Sequence, residues 1–443
     1  MKLFGTDGIR GIYGNYPLDA PTIRKIGHAL ALTLSNNIKN IIISHDGRES
    51  FMTIYQNLLD GILLEKKFNI IYLGLFPTPS LPYILSENVK KDSIGIQITA
   101  SHNPYTDNGI KIFNHNGFKI SPLDEIKIQN LVINQKTFQN ESNLVLTINQ
   151  TTVSLYENYI LKLLNSDNNI SHKLNIAIDC ANGALSELIS RLDIPKNISF
   201  KIFNNNPNGT NINDKCGAVS PQYLAEEIIK INNKDSNNFI DFGITFDGDG
   251  DRAILITSSG RILDGDEILY LLSINTNNNK ILVGTVMTNF GIRNNLNKLG
   301  YTFIETSVGD KNVLDAMLSN NADLGSESSG HVIHRNLSKI PIGDAVITMF
   351  KIIQLIQKRQ KNLDQIYPDT LKVPSVLINI DSSDPNTLID DNYLLFKKIK
   401  EILGEDGRIF VRKSGTQSLV RILIEHESGE ILRKTEELIK GKL

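Results

Sequence analysis

Apolar residues in the first part of the chain follow two alternating spacings. A stretch that begins at Pro21 carries apolar residues three or four positions apart, which is the spacing of one helix face. The runs 40–44, with apolar residues at 41–43, and 70–75 have the length of buried strands. A second helical spacing, over 51–62, lies between them. This alternation predicts a largely parallel or mixed sheet with helices on its faces.

Two later runs lead into polar residues. The run 94–99 predicts a strand that stops just before Ser101. The run 239–246 predicts a strand that leads into Asp247, and the apolar residues 253–257 predict another strand beyond it. The strands therefore deliver Ser101 and Asp247 to loops.

The C-terminal part has a different pattern. Residues 135–150 are polar, and residues 360–374 are polar with two prolines, so each stretch is a candidate domain boundary. After the second boundary the pattern predicts, in order, a strand, a helix, two strands and a helix. That order indicates a small α+β domain. No internal repeat is evident in the sequence.

Composition describes an ordinary globular protein. The 443 residues suffice for about three domains, and 40% hydrophobic with 21% charged residues is typical of a soluble chain with sizeable cores. The formal net charge of −2 gives no global basic field. We therefore expect no nucleic-acid partner.

Several features favour a cytoplasmic protein. The longest apolar runs are strand-sized, so we expect no membrane span, and the opening MKLFGTDGIRG lacks an apolar signal segment. Cys180 and Cys216 match no zinc spacing and are too few for a disulfide framework, which favours a reducing compartment. We attribute the asparagine-rich patches to composition rather than chemistry.

Three aspartates, Asp247, Asp249 and Asp251, alternate with glycines. In an extended or looping backbone this spacing puts the three carboxylates on one side, where they repel unless a cation lies between them. Oxygen-only ligands favour magnesium. An EF-hand is excluded because its sixth position would be Arg252 and its twelfth Ser258. A solvated acidic turn is the alternative. Arg252 is a natural phosphate partner.

Ser101 precedes Asn103-Pro104, which favours a turn with an exposed hydroxyl. A capping serine is the common alternative. A Ser-His-Asp hydrolase fits poorly, because there is no G-x-S-x-G elbow and Ser101 is adjacent to His102. Serine, histidine and Lys111 beside three aspartates fit phosphoryl transfer better.

Two further loops resemble ligand contacts. The loop 325–331 places hydroxyls and a carboxylate between glycines, a set suited to sugar hydroxyls, although a polar surface loop is the more common case. The loop 412–416, with Arg421, combines basic side chains, hydroxyls and a glycine. Such a turn can bind a phosphate, and a basic surface hairpin is its alternative.

Taken together, these motifs resemble the α-D-phosphohexomutase superfamily, and within it the bacterial branch that acts on glucosamine phosphates. The motifs occur in the same order along the whole chain: FGTDGIRG at 4–11, TASHNPYTDNGIKIF at 99–113, DCANGA at 179–184, FDGDGDR at 246–252, SVGDKNV at 307–313, GSESSGH at 325–331 and RKSGTQSLVR at 412–421.

The resemblance implies a four-domain fold around a central cleft. Three domains are related mixed α/β domains, and the fourth is an α+β domain resembling the TATA-box-binding-protein fold, in agreement with the C-terminal pattern. We expect an α/β domain with the phosphoserine loop at 1–150, an α/β domain ending in the metal-binding loop at 151–252, an α/β domain with the sugar-binding loop at 253–365, and an α+β phosphate-binding domain at 366–443.

The resemblance also implies residue roles. Ser101 would be a phosphoserine that donates its phosphoryl group to glucosamine 6-phosphate, through glucosamine 1,6-bisphosphate, to give glucosamine 1-phosphate for UDP-N-acetylglucosamine synthesis. Lys111 or His331 would transfer protons. The implied catalytic residues are Ser101, His102, Lys111, Arg10 and His331. The implied ligands of one Mg²⁺ ion per subunit are Ser101, Asp247, Asp249 and Asp251. The implied substrate-binding residues are Arg252, Glu327, Ser329, Arg412, Ser414, Gly415, Thr416 and Arg421.

The implied partner is a small phosphosugar, the implied activator is glucosamine 1,6-bisphosphate or another hexose bisphosphate, and a homodimer is one assembly that the resemblance allows. The sequence departs from the family pattern at five positions away from Ser101 and the aspartates: Lys311, Ser326, Ser328, Gln417 and Ser418. Lys311 keeps a charge but loses the bidentate geometry of arginine.

Three other functions remain open. The first is a mutase of the same superfamily that acts on mannose or glucose phosphates. The second is a phosphatase with Asp247 as nucleophile, because residues 244–249 form a strand that ends in D-x-D. The third is a phosphosugar-binding protein without activity, which would need neither Ser101 nor the aspartates.

Overall fold

The computed structural model describes most of the chain, and the structural statements below concern these residues alone: 2–5, 7–35, 37–64, 68–87, 92–139, 141–165, 172–234, 238–275, 279–368, 371–414 and 418–443. They form two compact units. The first unit comprises Met1–Thr276 and Asp323–Ile366, and the second comprises Asn277–Ala322 and Tyr367–Leu443.

The N-terminal elements form a five-stranded mixed sheet with strand order β1-β5-β4-β2-β3. Strands β3, β2 and β4 run parallel, and β5 and β1 are antiparallel to their neighbours. The elements are β1 (Ile9–Ile12), α1 (Ala20–Thr33), β2 (Asn40–His45), α2 (Phe51–Ile62), β3 (Asn69–Leu75), α3 (Ser80–Ser86), β4 (Ser93–Ile98), β5 (Asp107–Phe113) and α4 (Pro122–Asn134).

Helices α1 and α2 cross closely because a glycine lies at each contact. A Cβ on Gly27 would lie 2.2 Å from the backbone oxygen of Leu58, and one on Gly61 would lie 2.0 Å from that of Arg24. Helix α1 begins after Asp19, whose Oδ1 accepts a 3.1 Å hydrogen bond from the Thr22 N–H. Residues of both helices belong to the same buried core as residues of β2, β3 and β4.

The next part repeats this arrangement. Its sheet has the order β10-β9-β8-β6-β7, again with three parallel strands (β7, β6, β8) followed by two antiparallel ones. The elements are α5 (Gln150–Asn165), β6 (Leu174–Asp179), α6 (Ser186–Arg191), β7 (Ile198–Phe203), a short 3₁₀ helix (Gly217–Val219), α7 (Gln222–Lys234), β8 (Phe242–Phe246), β9 (Ala253–Thr257), β10 (Ile262–Leu263) and α8 (Gly265–Ser273).

The third part is divided between the units. Its elements are β11 (Ile281–Thr285), α9 (Phe290–Lys298), β12 (Thr302–Thr306), α10 (Asp310–Asn320), β13 (Leu324–Ser326), β14 (Val332–His334), β15 (Ile342–Gly343), α11 (Ala345–Arg359) and α12 (Leu363–Ile366). In the second unit β11 and β12 pair in parallel, and in the first unit β13, β14 and β15 pair in antiparallel order.

The C-terminal elements belong to the second unit and form a three-stranded antiparallel sheet, order β16-β18-β17, packed against helices. They are β16 (Ser375–Asp381), α13 (Pro385–Asp391), α14 (Tyr393–Leu403), β17 (Gly407–Lys413), β18 (Leu419–His426) and α15 (Gly429–Lys440). The predicted order of strands and helices is confirmed, with α13 added.

The predicted fold class, mixed α/β domains followed by a smaller α+β domain, is confirmed. One predicted strand was three residues too long, since β8 begins at Phe242 rather than at 239. The domain boundaries stay a prediction. Among the described residues, no helix is both long and apolar enough to cross a bilayer.

Candidate active site

Three loops of the first unit each join a buried strand to the antiparallel strand that follows it. The loop 99–106 connects β4 to β5, the loop 247–252 connects β8 to β9, and the loop 327–331 connects β13 to β14. The preceding strands are buried along their whole length, so each loop begins at a residue that the core holds in place. An isolated bridge between Arg252 and His331 brings the second and third loops together.

Ser101 is 1% exposed, so the expectation of an exposed hydroxyl is wrong, and its backbone is unusual. Its φ of 54° is left-handed, a region that costs a non-glycine residue about 1–2 kcal/mol. Its N–H donates to the Thr99 hydroxyl at 2.8 Å, and that hydroxyl donates to Asp46 Oδ2 at 2.6 Å. The Ser101 hydroxyl donates to Asp247 Oδ2 at 2.6 Å. The strained backbone therefore directs the hydroxyl at the first of the three aspartates.

A buried arginine holds the same loop. Arg48 is only 1% exposed, and its Nε donates to Asp46 Oδ2 at 2.9 Å. Its guanidinium also donates to the backbone oxygens of Ser101, Asn103 and Pro104 in the loop and of Asp107 at the start of β5. Arg48 thus contacts the loop through several of its backbone oxygens.

The three aspartates are buried and close together. One oxygen from each of Asp247, Asp249 and Asp251 lies within 4.8 Å of the others. Asp247 Oδ1 accepts the N–H groups of Asp251 at 3.2 Å and Arg252 at 3.1 Å, and Asp249 Oδ2 accepts the Thr78 hydroxyl at 2.6 Å. The backbone curls around the carboxylates through Gly250, which has a φ of 75°.

This donor set fits a hard divalent cation. Oδ1 of Asp249 and Oδ1 of Asp251 are buried and accept no hydrogen bond from the part of the chain that the structure describes. Burial, together with the charges of Asp251 and Asp249, raises the pKa of Asp247 well above its usual range. Buried carboxylate oxygens without donors, at mutual ligand distance, are what Mg²⁺ or a similar ion would satisfy.

Lys111 compensates part of the negative charge. It is 2% exposed, and its Nζ lies 2.8 Å from Asp249 Oδ2, 3.3 Å from Asp251 Oδ2 and 3.2 Å from Asp7 Oδ2. Burial opposes its charge, but these carboxylates outweigh burial and hold the Lys111 pKa well above its usual range. Lys111 therefore stays protonated at neutral pH.

Asp7 and Arg10 belong to the same cluster. Burial opposes ionisation of Asp7, but Lys111, Lys119 and Arg10 outweigh it and hold the Asp7 pKa well below its usual range. Arg10 pairs with Asp7, and its Nη1 lies 3.4 Å from the backbone oxygen of Ala100. A guanidinium thus lies beside the Ser101 loop.

Two histidines lie beside the reacting groups. His102 Nδ1 is 3.4 Å from the Ser101 Oγ, and burial with the neighbouring charges of Arg252 and Arg10 lowers the His102 pKa to about 4. His102 is therefore neutral at physiological pH. The second histidine, His331, has its Nδ1 3.7 Å from Asp251 Oδ1.

The loop 327–331 is a tight turn between β13 and β14. The N–H of Glu327 donates to the backbone oxygen of His331 at 3.0 Å, and Gly330 N–H donates to that of Glu327 at 3.0 Å. Glu327 and His331 are buried, whereas Ser329 is exposed. The turn places a carboxylate and an imidazole next to Arg252.

The second unit carries a pair of arginines. Arg412 on β17 and Arg421 on β18 are direct cross-strand partners. They help to line a cavity of about 20 Å³ with Phe410 and Leu423. Burial and the charge of Arg421 lower the Arg412 pKa. Like charges directly opposite each other destabilise a sheet.

Other predicted residues of this loop are only partly described. The Ser414 N–H donates to the backbone oxygen of Leu419 at 2.9 Å. Gly415, Thr416 and Gln417 lie outside the described residues. The site residues expected from the sequence therefore fall into one cluster in the first unit and one arginine pair in the second.

Several residues of the first cluster were not recognised from the sequence, among them Arg48, Thr78 and Asn213. Arg48 lies two positions after Asp46 at the end of the buried strand β2, and an arginine and an aspartate in that position are the sequence signal that could have been used. Thr78 and Asn213 carry no comparable signal, because their partners are more than 100 positions away in the chain.

Comparison with protein-family models covers most of the chain. The phosphoglucomutase/phosphomannomutase models for α/β/α domain I, α/β/α domain III and the C-terminal domain match residues 1–139, 264–373 and 355–442. Proteins named phosphoglucosamine mutase are similar over the full length. The one from Oceanobacillus iheyensis is 33% identical over 97% of this chain and 95% of its own, and the one from Buchnera aphidicola is 34% identical over 96% and 93%.

Solved structures share the fold. A phosphoglucomutase/phosphomannomutase family protein from Burkholderia thailandensis superposes with a TM-score of 0.77 at 20% identity, over 99% of this chain and 96% of that one. The N-acetylphosphoglucosamine mutase of Aspergillus fumigatus, in complex with GlcNAc-6P and magnesium, gives a TM-score of 0.63 at 17% identity, over 98% and 93%.

Proposed function

This chain belongs to the phosphoglucosamine mutase family of phosphohexomutases, and on that premise we propose that it interconverts glucosamine 6-phosphate and glucosamine 1-phosphate with Ser101 as phosphoryl carrier. The observation that carries the proposal is the 2.6 Å hydrogen bond from the Ser101 hydroxyl to Asp247, at the edge of a buried triad of carboxylates. Turn and capping serines have no need of such a partner.

We propose that phosphorylated Ser101 gives its phosphoryl group to the free hydroxyl of the bound sugar phosphate. The resulting glucosamine 1,6-bisphosphate reorients and returns its other phosphoryl group to Ser101. In each transfer one P–O bond forms and one breaks, so no further reactant is consumed. His102 Nδ1 lies 3.4 Å from the Ser101 Oγ, Arg10 Nη1 lies 3.4 Å from the Ala100 backbone oxygen, and Arg252 Nε lies 4.0 Å from Asp247 Oδ2. These three side chains would stabilise the charge of the transferring group.

Asp247, Asp249, Asp251 and an oxygen on Ser101 are the proposed ligands of one Mg²⁺ ion. When bound, the ion would neutralise charge on the phosphoryl group. Magnesium is favoured over zinc because every donor is a hard oxygen. The magnesium in the Aspergillus fumigatus complex of the same fold is consistent with this choice.

Of the two candidates for proton transfer, His331 is favoured. Lys111 is engaged by three carboxylates, and its raised pKa makes it a poor proton acceptor, so its proposed role is to balance the charge of the aspartates. His331 Nδ1 lies 3.7 Å from Asp251 Oδ1, which would orient the imidazole for proton transfer.

Substrate binding is proposed at two places. Glu327 and Ser329 would bind sugar hydroxyls. The second unit would bind the phosphate that does not react, through Arg412, Ser414, Gly415, Thr416 and Arg421. The cross-strand arginine pair supports this assignment, because an anion would relieve its repulsion.

The finer expectations are proposals as well. We propose activation by glucosamine 1,6-bisphosphate or another hexose bisphosphate, a cytoplasmic location, no nucleic-acid partner and a homodimer. The second candidate function is a mutase for mannose or glucose phosphates, because family models of that description match the chain.

The test is turnover of glucosamine, mannose and glucose phosphates with Mg²⁺ and a hexose bisphosphate. The variants are Ser101→Ala and, as a matched control, Ser319→Ala, which removes an exposed hydroxyl on α10. We expect preference for the amino sugar, a loss of at least a thousandfold in Ser101→Ala and no change in Ser319→Ala.

Other outcomes assign other functions. Preference for mannose or glucose phosphate would keep the mechanism and replace the substrate. Release of free phosphate that survives Ser101→Ala but not Asp247→Asn would indicate an aspartyl phosphatase. No turnover of any hexose phosphate would leave a binding protein.

A further inference from the structure

An asparagine-rich loop from the second α/β part reaches the Ser101 loop. Residues 204–217 leave the end of β7 and contact the N-terminal part, where the Glu49 N–H donates to the backbone oxygen of Gly209 at 2.9 Å. Within this loop Asn213 is 8% exposed, and its N–H donates to the backbone oxygen of Ala181 at 2.9 Å. Composition alone had suggested no chemistry for these asparagines.

The Asn213 side chain is bonded to the backbone of the proposed phosphoserine. Its Nδ2 donates to the backbone oxygen of Ser101 at 2.9 Å and to that of Asn103 at 3.2 Å. Arg48 Nη2 donates to the same Ser101 oxygen at 2.9 Å. The Ser101 backbone oxygen therefore accepts two hydrogen bonds, one from Arg48 in the N-terminal part and one from Asn213 in the second α/β part.

The metal-binding loop packs against this hydrogen bond. A Cβ on Gly248, between Asp247 and Asp249, would lie 2.6 Å from the Ser101 backbone oxygen and 2.9 Å from Asn213 Nδ2. Any side chain at position 248 would displace one of these groups. The Ser101 carbonyl, the Asn213 amide and the backbone beside Asp247 thus form one close contact.

We propose that Asn213 is a positioning residue for Ser101, a role that rests on the proposed function of Ser101. The left-handed φ of Ser101 persists only if its surroundings enforce it. Because Asn213 belongs to the same α/β part as Asp247, its amide fixes the Ser101 carbonyl relative to the aspartates. The direction of the hydroxyl toward Asp247 follows from that.

The alternative is that Arg48 alone fixes the loop and that Asn213 only packs against it. Arg48 belongs to the same part as Ser101, so it orders the loop internally but does not tie it to the aspartates. If Asn213 positions Ser101, loss of its amide should slow phosphoryl transfer and leave substrate binding intact. If Asn213 only packs against the loop, loss of the amide should not slow transfer.

The primary variant is Asn213→Gly. Asn213 has a φ of 56°, which glycine adopts without strain, so the change removes the amide and keeps the backbone. The matched control is Asn321→Gly, at the exposed C-terminal end of α10, where φ is also 56°. Both are measured for kcat and KM, for melting temperature and for amide hydrogen exchange of the peptide 99–107.

We expect kcat of Asn213→Gly to fall tenfold to a hundredfold, with KM within threefold, because a misdirected nucleophile slows transfer and not binding. Exchange in the peptide 99–107 should be at least tenfold faster. Asn321→Gly should match the wild type in every measurement. A folded Asn213→Gly protein with kcat within twofold of wild type, or with unchanged exchange, would overturn the proposal.

Asn213→Asp decides the matter if the glycine variant does not fold. Aspartate has nearly the same shape and tolerates a left-handed φ, but its carboxylate cannot donate to the Ser101 oxygen. It should show the same exchange increase and kcat loss, and wild-type values would refute the role. The exchange measurement needs no turnover, so it tests whether Asn213 holds the Ser101 loop even in a protein without mutase activity. Absence of mutase activity in the wild type would refute the proposed function alone.

Discussion

Replacing Arg48 by methionine tests how the Ser101 loop is held. Methionine keeps much of the volume of the side chain and removes all of its donors. The change leaves the buried carboxylate of Asp46 without its ion-pair partner, and the Thr99 hydroxyl becomes its main side-chain donor. The backbone oxygens of Pro104 and Asp107 lose a donor, while those of Ser101 and Asn103 keep Asn213.

The magnitude follows from these contacts. Removing one partner of a buried ion pair costs about 3–5 kcal/mol, because the other charge stays buried. The two carbonyl oxygens add less than about 1 kcal/mol each, since Pro104 is exposed and Asp107 half-buried, so water can replace the arginine. We therefore expect a loss of about 5 kcal/mol, which is comparable to the whole stability of many domains.

The assay is urea unfolding, monitored by hydrogen exchange of peptides from β2 and β4. A local probe is needed because a chain with several domains does not unfold in one step. The matched control is Arg433→Met on the exposed face of α15, which should change stability by less than about 0.5 kcal/mol.

A second variant separates charge from shape. Asp46→Asn combined with Arg48→Met removes both charges, so it should recover about 2–3 kcal/mol relative to Arg48→Met alone. A loss below about 1 kcal/mol in the single variant, or a double variant no more stable than the single one, would refute the buried ion pair as the source of stability.

Three further predictions concern pH, metal and substrate. Burial raises the Asp344 pKa from 3.8 to about 6, so the stabilising contribution of this carboxyl is complete below pH 4 and is lost as pH rises through 6. At pH 7 the Asp344→Asn variant should therefore be more stable than the wild type, by up to about 3 kcal/mol, and should melt at a higher temperature. At pH 4 the two proteins should be equally stable. Gly183→Ala would place a Cβ 2.2 Å from the Gly248 oxygen, so it should abolish Mn²⁺ binding measured by calorimetry, whereas Gly429→Ala, with open space around it, should not. Arg421→Met should raise KM for the hexose phosphate at least tenfold, and an unchanged KM would remove the arginine pair from substrate binding.

Several strands and a minority of the helices could be predicted because their burial imposes a pattern on the sequence. Apolar residues recur along 94–99 because β4 is buried on both faces, with Gln97 as a buried polar exception, and β8 is buried in the same way. The positions of Ser101 and Asp247 at the ends of these strands followed directly. The aspartate triad was predictable for a similar reason, since its spacing is local.

The contacts that hold the site were not predictable in this way. Arg48 and Asn213 bind backbone oxygens, which carry no sequence signature, and Asn213 is 112 positions from Ser101. The structure also shows where three of the five departures from the family pattern lie. Ser326 is buried in β13, Lys311 is exposed on α10, and the Ser418 hydroxyl donates to the backbone oxygen of Ser382 at 2.6 Å.

The three loops of the first cluster occupy equivalent places in related folds, although no internal repeat is evident in the sequence. Each follows the strand after which the chain reverses into antiparallel pairing: β4, β8 and β13. Loops at equivalent places share an anchoring geometry, so each can exchange its side chains without disturbing the strand beneath. One then carries a hydroxyl, one the carboxylates, and one a carboxylate with an imidazole. Repetition of the scaffold, with different chemistry at each copy, explains how these groups meet although no repeat is visible in their residues.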